Sequence, residues 1–218
     1  ISSEDLADSR SQEVSWAVVS STGLVALVHS QPAASCRSWG DPHVVRWNAN
    51  KYDFYGVGDY YLARSCDGEF VVQARHSRCF TVSCNTAIIV KFRDSVVGYS
   101  VNRRFSVDPL MVLSDTFNDG VEFYRIGGRT GAPVYKIIAP NGAAVTLTTS
   151  QWRDFWYVNV DVQVPAVYYG RIGGLCGSWD GDADNDWLGY DGSTYDNSWS
   201  GKHSYGLTFK VPTSENLF

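Results

Sequence analysis

Apolar residues fall in short runs dominated by β-branched and aromatic types, such as Thr86–Phe92 (TAIIVKF), Ala143–Thr149 (AAVTLTT) and Phe155–Val162 (FWYVNVDV). Runs of this length and make-up suit a pleated, half-buried surface better than a helix. Between them stand turn signals: Asn118-Asp119-Gly120, Gly127-Gly128 and Pro140-Asn141-Gly142. Glycine, Asn and Asp tolerate the backbone angles that tight turns require. No helical apolar period runs through the middle of the chain. The pattern predicts an all-β protein, a sandwich or barrel of short strands. In Phe155–Val158, alternation puts Trp156 and Val158 on one face and Phe155 and Tyr157 on the other. Two apolar faces imply cover on both sides, from residues 1–35 or from another subunit.

At the start, a polar stretch leads into a hairpin-like segment, Val14–His29, with Ser20-Ser21-Thr22-Gly23 at its turn. Residues 1–35 therefore read as an extension or linker, and the domain begins at Cys36. Near the other end, Tyr205–Val211 reads as a last strand. Ile1 in place of an initiator Met implies a piece of a longer chain.

With 218 residues, 44% of them hydrophobic and 19% charged, the chain can bury one sizeable core. A net charge of −5 makes nucleic acid a poor partner, because phosphate binding needs a concentrated basic face. The apolar runs are too short and too interrupted for membrane insertion.

Five cysteines are present: Cys36, Cys66, Cys79, Cys84 and Cys176. Cys79 and Cys84 are too far apart for a zinc knuckle, and their spacing suits a short disulfide loop. The odd count leaves one thiol unpaired or bonded to another chain.

The densest chemistry lies in Asp180-Gly181-Asp182-Ala183-Asp184-Asn185-Asp186. Carboxylates alternating with small residues make a loop whose oxygens can converge, and calcium takes six to eight hard oxygen ligands. The spacing departs from the helix-flanked calcium loop. Asn185 stands where that loop has Gly, and Asp191 where it has a bidentate Glu.

Two distant segments, Cys36–Leu62 (CRSWGDPHVVRWNANKYDFYGVGDYYL) and Gly174–Asp186 (GLCGSWDGDADND), together resemble the von Willebrand factor type D domain. The closing FKVPTSENLF is similar to that family's last strand, so the resemblance spans residues 36–218. It implies a β-sandwich of two antiparallel sheets with a calcium-binding loop near its C-terminal end. The family's calcium ligands fall on Asp180, Asn185, Asp186 and the carbonyl of Asp182. Asn48 stands where the family has an Asp, and Ser178 where it has an Asn. Both exchanges weaken the donor set, so the implied affinity is modest, about 10⁻⁴–10⁻³ M. The resemblance further implies a Cys36–Cys176 bridge, with Cys66–Cys176 the alternative, leaving Cys66 unpaired or intermolecular.

The implied role is a secreted, calcium-binding structural or assembly module of an adhesive, gel-forming or fibre-forming protein, not an enzyme. Its partners would be other extracellular proteins or copies of itself. Two alternatives accompany it. Trp152, Trp156, Trp179, Trp187 and Trp199 could stack on glycans in a calcium-dependent carbohydrate module. Gly40-Asp41-Pro42-His43 resembles the self-cleaving tetrapeptide of some family members. There Asp41 would attack its own carbonyl carbon, Pro42 nitrogen would leave, and His43 would supply the proton near pH 6.

Overall fold

The computed structural model describes residues 15–19, 25–29, 33–101, 111–112 and 119–218. In chain order the strands are β1 (Ser15–Val19), β2 (Val25–His29), β3 (Ala34–Trp39), β4 (His43–Val45) and β5 (Lys51–Asp53). There follow β6 (Gly58–Ser65), β7 (Phe70–Cys79), β8 (Val82–Phe92), β9 (Ser95–Ser100) and β10 (Met111–Val112). The remainder are β11 (Glu122–Arg129), β12 (Ala132–Ile138), β13 (Ala144–Trp152), β14 (Phe155–Val164) and β15 (Ile172–Gly173), before the helix α1 (Trp199–Thr208).

Two antiparallel sheets pack face to face. One has the order β11-β12-β13-β14-β3-β4-β5, the other β10-β9-β8-β7-β6-β15. Strands β1 and β2 form a separate antiparallel hairpin with Ser15 opposite His29. The predicted turn of that hairpin, residues 20–23, lies outside the described residues, as does Asn118.

Alternation along β14 sends Val158, Val160, Val162 and Val164 into the core while Asp161 and Gln163 face outward. Its neighbour β13 contributes Val145 and Leu147, and the opposing sheet supplies Leu62, Val72, Ile88 and Val90. Each such side chain, fully buried, is worth about 1.5–3 kcal/mol. Among the described residues β14 is covered on one side only. Phe155, Trp156 and Tyr157 are half-buried, and Phe155 packs instead on Phe80 of the β7–β8 turn, ring centroids 4.5 Å apart. Of residues 1–35, expected to cover the strand's other face, most lie outside the described residues.

Two further expectations change. Gly127-Gly128 lies inside β11 at an irregular register rather than at a turn. A Cβ on Gly128 (φ +84°) would come within 2.3 Å of the Ala132 carbonyl oxygen, so the strand needs glycine there. Tyr205–Val211 is not a strand: Tyr205–Thr208 completes α1. Ser198 caps the helix by accepting the Gly201 N–H at 3.0 Å. Only beyond the helix does the backbone line β6, with Tyr61 N–H donating to Phe209 O (2.9 Å) and Val211 N–H to Asp59 O (2.8 Å).

Candidate functional site

The two sequence segments that carry the family resemblance meet at one end of the sandwich. The turn Gly174–Gly177 is wedged between β6 and the β4–β5 connection. Leu175 N–H donates to Tyr61 O (2.9 Å), Cys176 N–H to Leu62 O (3.1 Å), and Trp47 N–H to Cys176 O (3.2 Å). Gly174 (φ +129°) permits this approach, since a Cβ there would sit 2.6 Å from the Leu62 carbonyl oxygen. Tyr52 and Tyr205 donate their hydroxyls to the Leu175 and Gly174 carbonyls at 2.7 and 3.2 Å. A disulfide joins Cys36 of β3 to Cys176, Cα atoms 5.8 Å apart across a separation of 140 residues. A second joins Cys79 to Cys84 across the β7–β8 turn. Cys66 is a free, exposed thiol.

Beneath this turn lies a residue that sequence reasoning did not single out. Arg46, just after β4, is 1% exposed and Asp186 is 7% exposed. Arg46 Nη2 stands 3.5 Å from Asp186 Oδ1 and donates to the Asp186 carbonyl oxygen. The guanidinium lies over the Trp187 ring at 4.7 Å and near the Tyr205 ring at 5.5 Å. These rings meet edge to face at 5.2 Å, and Tyr52 closes the box on Trp187 at 5.5 Å. Burial pushes the Tyr205 hydroxyl up to about 12, with the Arg46 charge pulling the other way. The signal available in sequence was slight: one basic residue inside the apolar run Val44-Val45-Arg46-Trp47.

The hydrogen bonds of the predicted calcium ligands fall into two sets. Around Asn185, the amide donates to Asp180 Oδ2 (2.9 Å) and Asp182 Oδ2 (3.3 Å). Asp180 Oδ1 accepts the Asp182 N–H and Asp182 Oδ1 the Asp184 N–H, each at 3.0 Å. Around Asp186, the Asn48 amide donates to Oδ2 at 2.5 Å and the Asn50 amide at 3.4 Å. Asn48 turns its own oxygen to the Asn50 N–H at 3.1 Å. Ser178 borders a neighbouring cavity of about 260 Å³ with Cys66, Trp179 and Asp180.

This donor set does not fit a calcium ion centred on Asp186. Arg46 and two amide NH₂ groups already face that residue. Two unit charges about 4 Å apart repel by about 4 kcal/mol at an effective dielectric near 20, and a divalent ion doubles this. One atom argues the other way: Asn185 Oδ1 is buried without a hydrogen-bond partner. The carboxylates of Asp180 and Asp182 stand beside this residue. Among the described residues no group of three or more His, Cys, Asp or Glu side chains is placed to hold a metal.

At the β3–β4 turn, His43 bridges two carboxylates. Its Nε2 is 3.0 Å from Asp41 Oδ1 and its Nδ1 is 2.6 Å from Asp53 Oδ1. Pro42 lies between Asp41 and His43 in the chain, and its carbonyl accepts the Phe54 N–H at 3.1 Å. Of the predicted glycan-stacking rings, Trp152 and Trp199 are exposed, while Trp156, Trp179 and Trp187 pack against the core. Trp152 meets Phe80 edge-on at 4.9 Å, and Trp199 lies flat on His203 at 5.5 Å.

The fold is thus a disulfide-tied sandwich of two antiparallel sheets, with a turn of the second motif locked onto the first. The match to the von Willebrand factor type D domain model covers residues 36–193, and the chain belongs to that family. Members of the family are secreted. The chain is 30% identical over 166 residues to zonadhesin of Homo sapiens, covering 73% of this chain and 6% of that protein. It is 26% identical over 175 residues to SCO-spondin of Gallus gallus, covering 76% of this chain and 3% of that protein. Hemocytin of Bombyx mori is 30% identical over 164 residues, covering 71% of this chain and 5% of the relative. The chain thus spans a small part of the length of these relatives. Among the described residues no helix is long and apolar enough to cross a membrane.

Proposed function

We propose that the chain is a non-catalytic spacing and assembly module of a larger secreted protein, working through contacts with other extracellular proteins or with copies of itself. The observation that carries this reading is the Cys36–Cys176 bond, which fastens the second motif to a central strand of one sheet. Closing a loop of 140 residues contributes about 5 kcal/mol in the chain-entropy model, and such bonds persist only in an oxidising compartment. The relatives are far longer than this chain, in keeping with a module repeated or combined within a large polymer.

The test is to secrete the chain from cultured cells and compare oxidised and reduced forms by protease resistance and sedimentation. The reading expects a secreted, protease-resistant oxidised form that associates with itself or with added neighbouring domains. A form that folds equally well with all thiols reduced, and stays monomeric at high concentration beside those domains, contradicts it.

One observation favours a second reading, self-cleavage at Asp41-Pro42. His43 is already in contact with the Asp41 carboxylate, and Asp53 orients the ring from the other side. In such a step a carboxyl oxygen of Asp41 bonds to its own carbonyl carbon as the bond to Pro42 nitrogen breaks. The nitrogen takes a proton from protonated His43, and the cyclic anhydride is opened by water or a neighbouring amine. Mass measurement of the reduced chain after mildly acidic incubation decides it. Two fragments, absent in Asp41→Asn, support cleavage; an intact chain excludes it.

A further inference from the structure

A guanidinium keeps its charge at any ordinary pH, so burying one demands a partner and a shaped surround. Three separate segments build that surround for Arg46. Gly177 leaves the space: a Cβ there would come within 2.3 Å of Nη2 and 2.6 Å of Cζ. Trp187 and Tyr205 supply the ring faces that take the place of water around the cation. Asp186 supplies an opposite charge and a carbonyl acceptor. The carboxylate's other oxygen is held by Asn48, whose own oxygen is directed to the Asn50 backbone.

We infer that Arg46 is the resident cation of this end of the fold, replacing the calcium ion that the family resemblance implies. Its guanidinium ties the β4–β5 connection to the loop that follows Cys176, so that loop is closed in calcium-free medium. Arg46 and a calcium ion on Asp186 exclude each other, because both need the same carboxylate and carry the same sign of charge. The exchanges at Asn48 and Ser178 fit this replacement, since each puts a weaker calcium donor in a site that no longer uses one.

The test is thermal unfolding of the oxidised chain in millimolar calcium, in magnesium and in chelator, for the wild type, Arg46→Met and Arg46→Lys. The wild type should melt at the same midpoint in all three media. Arg46→Met should melt lower in chelator and recover part of that loss with calcium but not magnesium. Arg46→Lys, which keeps the charge, should stay indifferent to calcium. A calcium-specific rise in the wild-type midpoint, abolished by Asp186→Asn, would overturn the inference. So would an Arg46→Met variant that folds and ignores calcium. If Arg46→Met does not fold, terbium binding to the wild type decides. Absence of saturable Trp-sensitised emission supports the inference; saturable emission lost in Asp186→Asn overturns it.

Discussion

Arg46 and Asp186, 140 residues apart in the chain, meet in the interior with Nη2 3.5 Å from Oδ1. One belongs to each of the two motifs that mark the family, so their contact closes the end of the sandwich beside the Cys36–Cys176 bond. Buried pairs of this kind are weak sources of net stability against a hydrophobic alternative, yet costly to break one side at a time.

Removing one partner should therefore be severe. Asp186→Leu, which leaves the guanidinium buried without its counter-charge, is expected to cost about 3–5 kcal/mol. The double variant Arg46→Met/Asp186→Leu should recover most of that loss. Urea unfolding of the oxidised chain measures both, and two single losses that simply add would show that the groups do not act as a pair.

Gly206 sits within α1, where glycine is ordinarily about 1 kcal/mol worse than alanine. Here the sign should reverse. A Cβ on Gly206 would come within 2.3 Å of the ring of Phe54, which is fully buried and cannot swing aside. Gly206→Ala is expected to destabilise by about 1–3 kcal/mol, read from the shift in denaturation midpoint.

Acid should loosen the fold through His76. Burial between Phe54 and Tyr60 lowers its pKa to about 4, with the Gly56 backbone and then the Asp59 charge acting in the other direction. The unfolded chain binds this proton from about pH 6.5 downward and the folded chain only near pH 4. Stability from this residue is therefore complete above pH 6.5 and lost as pH falls toward 4, by at most about 3 kcal/mol. In His76→Phe the decline over that window should flatten; an unchanged pH profile would assign the loss to other groups.

The short Cys79–Cys84 bridge should matter less than the long one. In the chain-entropy model the small loop is worth about 2 kcal/mol against about 5 for Cys36–Cys176. Paired Cys→Ser variants, compared by thermal unfolding, should keep that order.

Strands were readable from two patterns, alternation where one face meets the core and a continuous apolar run where both faces are buried. The alternation Val158, Val160, Val162 gave β14, and the unbroken TAIIVKF run gave β8, which is buried along nearly all its length. Helix α1 was not readable because Tyr205 and Gly206 are its buried residues, too few for an apolar stripe. The acidic loop was readable as a loop, but the orientation of the Asn185 and Asn48 amides is decided by partners far away in sequence. Arg46 was hidden for the same reason. Its cage depends on a missing Cβ at Gly177 and on rings at Trp187 and Tyr205, none of them its neighbours in the chain.

The most direct measurement is amide hydrogen exchange of the oxidised chain in calcium-free buffer with chelator. The N–H groups of Leu175 and Cys176 bond to the carbonyls of β6, and that of Leu188 to Asn185. If this end is closed from within, Leu175 and Cys176 should exchange as slowly as the core amides of β7 and β8, with no change on adding calcium. Fast exchange of both that slows only when calcium is supplied would contradict the account.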